Sequence, residues 1–487
     1  MSPKRQDHKQ HDDCDDAFDD YRHDYRLADY KPLLPIKAGV RVRLDPAAEQ
    51  PSLPRLATEL DAGAAAQADD EPCDLVVGCN TDLSGLLKPG GQLCLLGEPR
   101  EVREDLRMIG RWRALPGWPA FRALVPDHPA GYRAAFKSMR LLPARSPAAL
   151  LGSLSPSLAA RLMPKSGLAL YARGSAEAAD SLLARADRAL GGSAFQLAQW
   201  LIVSGRLGPG NPILAFQLDS HGRPRRLIKL ARDCGAEHLA HEAAQINRIT
   251  RALGPELAQR VIAPTASATI DDRHVLSYDF VPTRAFRGLR WRLQGRAGLC
   301  RTLTDWLIGV AQQTLQPADR DSGSEHHIQP LNDLIGRNIL PPEWQQDAKQ
   351  ALDWLRSRDT LPTVFEHGDL GIYNLRLLAA NGSDFKVLDW GSSTFQGIAC
   401  GDLLYLLSST RAPAALAADC LLRYLQGLKL PIHAASALWW SYLARRWAEL
   451  DSIRPPKPDD PTSGGGLLLA VHAQVRPALT GLQQASS

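Results

Sequence analysis

One segment constrains this chain more than any other. It reads Val364-Phe365-Glu366-His367-Gly368-Asp369-Leu370-Gly371-Ile372-Tyr373-Asn374-Leu375, and Val387-Leu388-Asp389-Trp390-Gly391 follows shortly after. The apolar residues at 364–365 and 387–388 read as strand flanks. Between the two parts, Leu375 to Leu378 and Phe385 to Leu388 enclose Asn381-Gly382, a dipeptide suited to the left-handed backbone of a hairpin turn. A lone His-Gly-Asp means little, and a lone aspartate at a strand end is usually a cap. The two-part pattern, with apolar strands on either side, is what carries weight.

The pattern H-G-D-x-x-x-x-N followed by a strand ending in D-W-G resembles the aminoglycoside phosphotransferase and choline kinase family, relatives of the protein kinases. Phosphoryl transfer needs a carboxylate to orient the acceptor hydroxyl and take its proton. It also needs oxygen ligands for a cation that offsets phosphate charge. The resemblance implies Asp369 as that catalytic base and Asn374 and Asp389 as ligands of Mg²⁺, with ATP as the phosphoryl donor. His367 is expected to be a structural hydrogen-bonder. Asp402, in Gly401-Asp402-Leu403, is expected to cap the helix it opens and to brace the catalytic loop. Trp390 stands where protein kinases carry Phe, which favours the small-molecule branch. No A-P-E signal follows, so control by activation-loop phosphorylation is not expected.

The upstream half of such a fold is visible too. Arg225 to Leu230 resembles the strand whose lysine, here Lys229, contacts the phosphates. Glu242 matches the glutamate that pairs with that lysine, on a helix expected to begin near His241. Ser204-Gly205-Arg206-Leu207-Gly208-Pro209-Gly210 sits where a phosphate-covering loop belongs, with Ser204, Gly205, Gly208 and Gly210 as candidate contacts. It is not a Walker A loop, since no G-K-[ST] follows. Val275 to Pro282 resembles the hinge, which would place adenine near Asp279, Phe280 and Val281. The resemblance covers about residues 195 to 450.

The N-terminal third is different. Residues 1–30 carry Asp, His, Tyr and Arg without hydrophobic periodicity and read as a disordered polar tail. Val40 to Leu44 and Asp74-Leu75-Val76-Val77-Gly78 read as strands, the second as a buried parallel one. Leu83 to Leu87 reads as a helical turn, Lys88-Pro89-Gly90-Gly91 as a turn, and Gln92 to Leu96 as another strand. This order resembles the later strands of a class I S-adenosylmethionine methyltransferase. The glycine-rich loop that family uses at its cofactor is replaced by Pro46-Ala47-Ala48-Glu49, and backbone approach to a nucleotide favours glycine. The region is therefore either a degenerate Rossmann-like domain or an unrelated α/β unit. Residues 101–190 read as helices and loops, with Ala176 to Leu190 as the best helix.

These readings give an α/β N-terminal Rossmann-like domain plus an α+β bilobal protein-kinase-like domain. The expected segments are a tail at 1–30, a methyltransferase-like part at 31–115 and a helical connector at 116–190. A kinase-like N-lobe follows at 191–285 and a helical C-lobe at 286–487. A length of 487 residues suits more than one core. The formal net charge of +4 argues against a nucleic-acid partner. The eight cysteines are scattered without a C-x-x-C and read as reduced thiols. No apolar run reaches the ~18 residues of a membrane span, and no secretory leader is read at the N-terminus, so a cytoplasmic protein is expected. The expected partner is a small-molecule hydroxyl acceptor. Its pocket would draw on segments holding Trp291, Trp306, Trp439, Trp440, Tyr442, Arg445, Arg446 and Trp447, which are not acidic enough to favour a polycationic aminoglycoside. Most of these tryptophans are expected in the helix core. Two alternatives from other classes remain. One is a nucleotide-binding pseudokinase or scaffold; the other is a methyltransferase with an accessory kinase-like domain.

Overall fold

The computed structural model describes residues 30–35, 40–44, 72–78, 86–97, 105–115, 123–135, 161, 164–173, 181–192, 196–204, 211–232, 236–283, 291–319, 324–453 and 464–484. Residues 1–29 of the expected polar tail, the residues replacing the methyltransferase glycine loop and Gly205, Gly208 and Gly210 lie outside them, whereas Tyr30, the last residue of that tail, is buried. Backbone contacts divide the chain into two units, Met1–Ala240 with Pro264–Phe280, and His241–Ala263 with Val281–Ser487. The chain passes between them at Ala240–His241, at Ala263–Pro264 and at Phe280–Val281, the last inside the segment expected to be the hinge.

The first unit is built on one sheet of eleven strands. In chain order these are β1 (Val42–Leu44), β2 (Cys73–Gly78), β3 (Leu87–Gly97), β4 (Leu106–Leu115), β5 (Ala123–Pro126), β6 (Gly167–Arg173), β7 (Trp200–Ser204), β8 (Ile213–Leu218), β9 (Pro224–Leu230), β10 (Ala266–Ile270) and β11 (Arg273–Asp279). They lie side by side as β1-β2-β3-β6-β4-β5-β7-β8-β9-β11-β10. β2 pairs in parallel with β1 and β3, and the other neighbours are antiparallel. Leu75, Val76 and Val77 are fully buried, as a strand covered on both faces requires. The turn expected at Lys88–Gly91 appears inside β3. Cys73 pairs with Leu87 but Leu75 pairs with Gln92, so these residues bulge out of register, and Gly90 takes φ +82°.

The helical reading of 101–190 needs correction. β4, β5 and β6 stand there, and β6 lies near the sheet centre between β3 and β4. Gly167-Leu168-Ala169-Leu170-Tyr171-Ala172 is rich in helix formers but is buried at every position. An apolar run without polar interruptions fits a two-sided strand as well as a helix, and local propensity does not decide between them. Besides a short helix at Pro129–Arg133, the described residues of this stretch hold α1 (Leu182–Ala189), capped by the Ser181 hydroxyl on the Ala184 N–H at 3.1 Å.

The expected boundary near residue 190 is crossed by a shared core. Val42, Leu75, Cys94, Trp112, Leu170, Ile202, Ala215, Ile228 and Val275 form one apolar face running from β1 to β11, and α1 covers part of it with Leu182, Leu183 and Ala186. The Trp112 indole donates to the Trp200 carbonyl at 2.9 Å, tying β4 to β7. Arg185 of α1 bonds Asp271 at 2.8 Å, and buried Asp187 of α1 accepts from Arg226 of β9. Strands β7 to β11 are antiparallel throughout, and α2 (Ala236–Ala252) and a short helix at Pro255–Ala258 stand between β9 and β10. That is consistent with the sheet half of a protein-kinase-like domain. The helix begins five residues before His241, where it was expected.

The second unit is mostly helical. β12 (Gln316–Asp319), β13 (Thr360–Glu366) and β16 (Thr394–Ile398) form a small sheet with β13 central, and β14 (Leu375–Leu377) pairs with β15 (Phe385–Val387) as the expected hairpin. Around them pack α3 (Arg296–Thr314), α4 (Pro342–Arg356), α5 (Gly401–Ser409), α6 (Ala414–Gly427), α7 (Ala434–Ile453) and α8 (Gly464–Gln484). Trp291, Trp306, Trp439, Trp440 and Trp447 are all core residues. The described cysteines Cys73, Cys94, Cys300, Cys400 and Cys420 are buried free thiols. Among the described residues, no helix is long and apolar enough to cross a membrane.

Buried His472 fixes α8 against α7. Its Nδ1 accepts from the Trp439 indole at 3.0 Å, which requires a neutral ring. Burial, then Arg476, holds its pKa down from 6.5 to about 4. Stability from the neutral ring is therefore intact above pH 6.5 and lost as pH falls from 6.5 towards 4. Buried His327, pushed down to about 3, steepens the same acid limb. Melting temperature followed against pH should drop across this window, less steeply in His472→Gln than in the wild type. Equal slopes would remove His472 from the account.

Candidate active site

β13 runs through a buried apolar stretch and ends at Glu366, delivering His367, Gly368 and Asp369 at its tip. The turn depends on Gly368. Its φ is +79°, and a Cβ there would lie 2.4 Å from the Ser392 carbonyl oxygen. The two N–H groups that the turn exposes are both taken by Asp402: Oδ2 accepts from His367 N at 2.6 Å and Oδ1 from Gly368 N at 3.0 Å. The expected bracing role of Asp402 is thus present. Its expected capping role is not. Cys400 holds the N-cap position of α5, and the Asp402 carboxylate is spent on the loop.

His367 is buried and works as a spacer. Its Nε2 faces the Leu388 carbonyl at 3.0 Å, and its Nδ1 accepts from the Asp369 N–H at 3.3 Å. Those partners specify a neutral ring protonated at Nε2, and burial lowers its pKa in the same sense. Trp390 packs on the imidazole at 4.6 Å between centroids.

Asp369 is half-buried, with both oxygens engaged. Oδ1 accepts from the Tyr373 hydroxyl at 2.8 Å, and Oδ2 from Asn374 Nδ2 at 3.1 Å. The same Asn374 nitrogen also donates to the Asp369 carbonyl at 2.8 Å. The amide nitrogen is thereby committed, and Oδ1 is the atom Asn374 can offer a cation. The hairpin returns the chain beside it: the Leu388 N–H donates to the Asn374 carbonyl at 3.1 Å, and Asp389 is the next residue. Asp389 is exposed and takes φ +68°, a left-handed conformation uncommon for a residue with a Cβ. The structure therefore brings Asp369, Asn374 and Asp389 to one edge of the second unit. A neutral carbonyl and one carboxylate are a sparse set, but they suit Mg²⁺. That ion keeps several waters and takes its remaining ligands from phosphates. Among the described residues no group of three or more His, Cys, Asp or Glu side chains could hold a metal ion by itself.

Three features escape the sequence pattern. Glu366 is fully enclosed, accepting from the Ile398 N–H at 3.0 Å and from Arg445 of α7. Gly397 allows this contact, since a Cβ there would sit 2.1 Å from the Glu366 Cβ. Burial, then Glu366, pushes the Asp402 carboxyl up, against the two N–H groups and Arg445, which hold it down. Two carboxylates thus share one buried pocket, with Arg445 as counter-charge. The third feature is a pair of tyrosines: the hydroxyls of Tyr373 and Tyr405 lie 2.6 Å apart. The residue types alone carried no signal for any of these contacts, because each joins segments far apart in the chain or depends on loop conformation.

In the first unit, Lys229 sits in β9 between Leu214 of β8 and Leu276 of β11, buried, with its ammonium 5.6 Å from the centroid of the Tyr278 ring. Ser204 ends β7, also buried. Asp279 ends β11 and is exposed. The Phe280 N–H donates to the Arg225 carbonyl at 2.9 Å, so that donor belongs to the sheet and not to a base edge. Glu242 lies in α2, almost fully buried, and falls in the second unit with Val281.

No known family's sequence profile matches the chain, and no curated protein matches it. Solved structures do. The GDP complex of aminoglycoside 2'-phosphotransferase-IIIa matches at 13% identity and a TM-score of 0.39, over 56% of this chain and 93% of that one. An aminoglycoside phosphotransferase from Streptomyces rimosus, in complex with ADP and streptomycin, matches at 14% and 0.31, over 49% and 94%. A putative fructosamine-3-kinase from Haemophilus somnus matches at 13% and 0.34, over 57% and 92%. These are the kinds of protein that the H-G-D and D-W-G motifs resemble.

Proposed function

We propose that this chain is an ATP- and Mg²⁺-dependent phosphotransferase that moves the γ-phosphoryl group to a hydroxyl of a small molecule, such as a sugar, an amino alcohol, an antibiotic or an envelope precursor. The observation that carries this reading is the arrangement at Asp369. Its carboxylate is oriented by Tyr373 and Asn374 on a loop whose turn is fixed by Asp402, with exposed Asp389 alongside. A scaffold has no physical need for a carboxylate held in this way.

In the proposed reaction the acceptor hydroxyl donates to Asp369. Its oxygen forms a bond to the γ-phosphorus as the bond to the β,γ-bridging oxygen breaks, ADP leaves with that electron pair, and Asp369 takes the proton. Asn374 Oδ1 and Asp389 would hold Mg²⁺, which offsets phosphate charge when bound. Lys229 is assigned to the phosphates, and Glu242 to the role of its counter-charge. Ser204, Gly205, Gly208 and Gly210 are assigned to the covering loop, and Asp279 and Val281 to the adenine edge.

Thermal unfolding of the full chain with a non-hydrolysable ATP analogue, with and without Mg²⁺, tests the nucleotide site. A ligand at about 100 times its Kd should stabilise the protein by about 2.7 kcal/mol. The Mg²⁺-dependent part of the shift should vanish in Asp389→Ala, since a single exposed carboxylate supplies the charge that holds the cation. A shift of equal size in the variant would take Asp389 out of the metal site. No shift in either protein would end the phosphotransferase reading.

A further inference from the structure

The reading of Asp369 as a base leaves the Tyr373 hydroxyl unexplained. It lies on Asp369 Oδ1 at 2.8 Å, the distance and position required of an acceptor hydroxyl about to give up its proton. Oδ2 faces buried Asn374, whose Nδ2 also bonds the Asp369 backbone, whereas Oδ1 faces exposed Tyr373. Each carboxylate oxygen has two acceptor positions. Oδ1 is the oxygen on the exposed side, and the Tyr373 hydroxyl takes one of its positions.

Two observations make Tyr373 a displaceable occupant. Its side chain is 41% exposed, so it can leave by rotation without opening the core. It also has a second anchor, because the Tyr405 hydroxyl lies 2.6 Å from its own. A phenol carries one proton. With that proton on Asp369, the short contact makes Tyr405 the donor to the Tyr373 oxygen. The chain of donors runs from Tyr405 through Tyr373 to Asp369.

Resting on the phosphotransferase reading, we propose that Tyr373 is a placeholder. Its hydroxyl fills the acceptor position on Asp369, with Tyr405 holding it there, until a substrate hydroxyl displaces it. The physical purpose follows from competition. Water is the most abundant hydroxyl available, and a base open to water would spend the nucleotide on hydrolysis. A tethered phenol excludes a single water, whereas an acceptor bound through many contacts can outcompete it. Tyr373 is thus a positioning and specificity residue for the site.

The test is acceptor-free hydrolysis of Mg-ATP by the full chain. Tyr373→Phe should raise the rate about tenfold, the change expected when one charge-assisted hydrogen bond to the base is lost. Tyr405→Phe, which leaves Tyr373 in place with a weaker anchor, should give a smaller rise. The gain should disappear in Asp369→Asn/Tyr373→Phe. Rates in Tyr373→Phe within twofold of wild type, in proteins that Mg-nucleotide still stabilises, would overturn the placeholder alone. A gain that survives in the double variant would also overturn it, because the water would then not be using Asp369. Absence of nucleotide stabilisation in wild type and variants alike would instead overturn the phosphotransferase reading on which it rests.

Discussion

Asp369→Asn should lower phosphoryl transfer by about 10²- to 10⁴-fold, the range for loss of a positioned general base. The substitution is nearly isosteric. Its remaining oxygen can still accept from Asn374, and its new amide can face the Tyr373 hydroxyl, which accepts as well as donates. The loop should therefore stay folded, because its turn is held by Asp402 and not by Asp369. Nucleotide affinity should change little, since the assigned phosphate and metal contacts lie on other residues. The useful comparison is kcat for an acceptor identified by screening, set beside thermal stabilisation by Mg-nucleotide in the same two proteins. Lost turnover with retained stabilisation is the expected pair. Turnover within about tenfold of wild type would mean that Asp369 is not the base.

The loop at 366–374 was the most legible part of the sequence, and the reason is physical. A tight turn after a strand, a carboxylate beyond it and a hairpin leading back to a second carboxylate are local features. Their residue types are dictated by backbone geometry, as at Gly368 and Gly382, both with positive φ. What holds the loop was less legible. Asp402 is foreseen as a brace because it follows a glycine in a recognisable pattern. Arg445 and Glu366 are not, because nothing local says that one helix residue will meet the end of a strand 79 positions earlier. Strands were legible at 42–44, 73–78 and 92–96, but residues 101–190 were taken for helices for a related reason. Burial on both faces makes β6 a continuous apolar segment, and Leu and Ala in such a segment look helical until their neighbours are known. The strand pairing that joins β1–β6 to β7–β11 is two residues long, β5 with β7, and leaves no mark in the sequence. The shared core beneath it is distributed over strands from 42 to 275 and has no local signature either.

Arg445→Met should destabilise the second unit by about 3–5 kcal/mol, the cost of removing one partner from a buried ion pair. The Arg445 guanidinium donates to Glu366, whose side chain is 2% exposed. Without it, Glu366 and Asp402 would face each other across one pocket with no counter-charge. Replacement by methionine keeps most of the volume, so the loss should be electrostatic and not a cavity effect. The sign of its pH dependence follows. Burial, then Glu366, raises the Asp402 carboxyl above the 3.8 of an ordinary aspartate. A raised carboxylate pKa means that the folded state holds the proton more tightly. Stability from the protonated form is complete below 3.8 and is lost as pH rises above it. Removing Arg445 should strengthen that trend, so the deficit of the variant should be largest near pH 8 and shrink as the pH is lowered towards 5. Chemical unfolding of wild type, Arg445→Met, Glu366→Gln and the double variant at both pH values measures it. In the double variant one charge of each sign is gone, and it should be more stable than Arg445→Met alone at pH 8. A deficit independent of pH, with additive single effects, would show that Arg445 contributes packing and not charge. The catalytic loop should report the same event. Asp402 is the acceptor for the two N–H groups of the turn that carries Asp369, so a variant that forces Asp402 to shift should lose activity before it loses the fold.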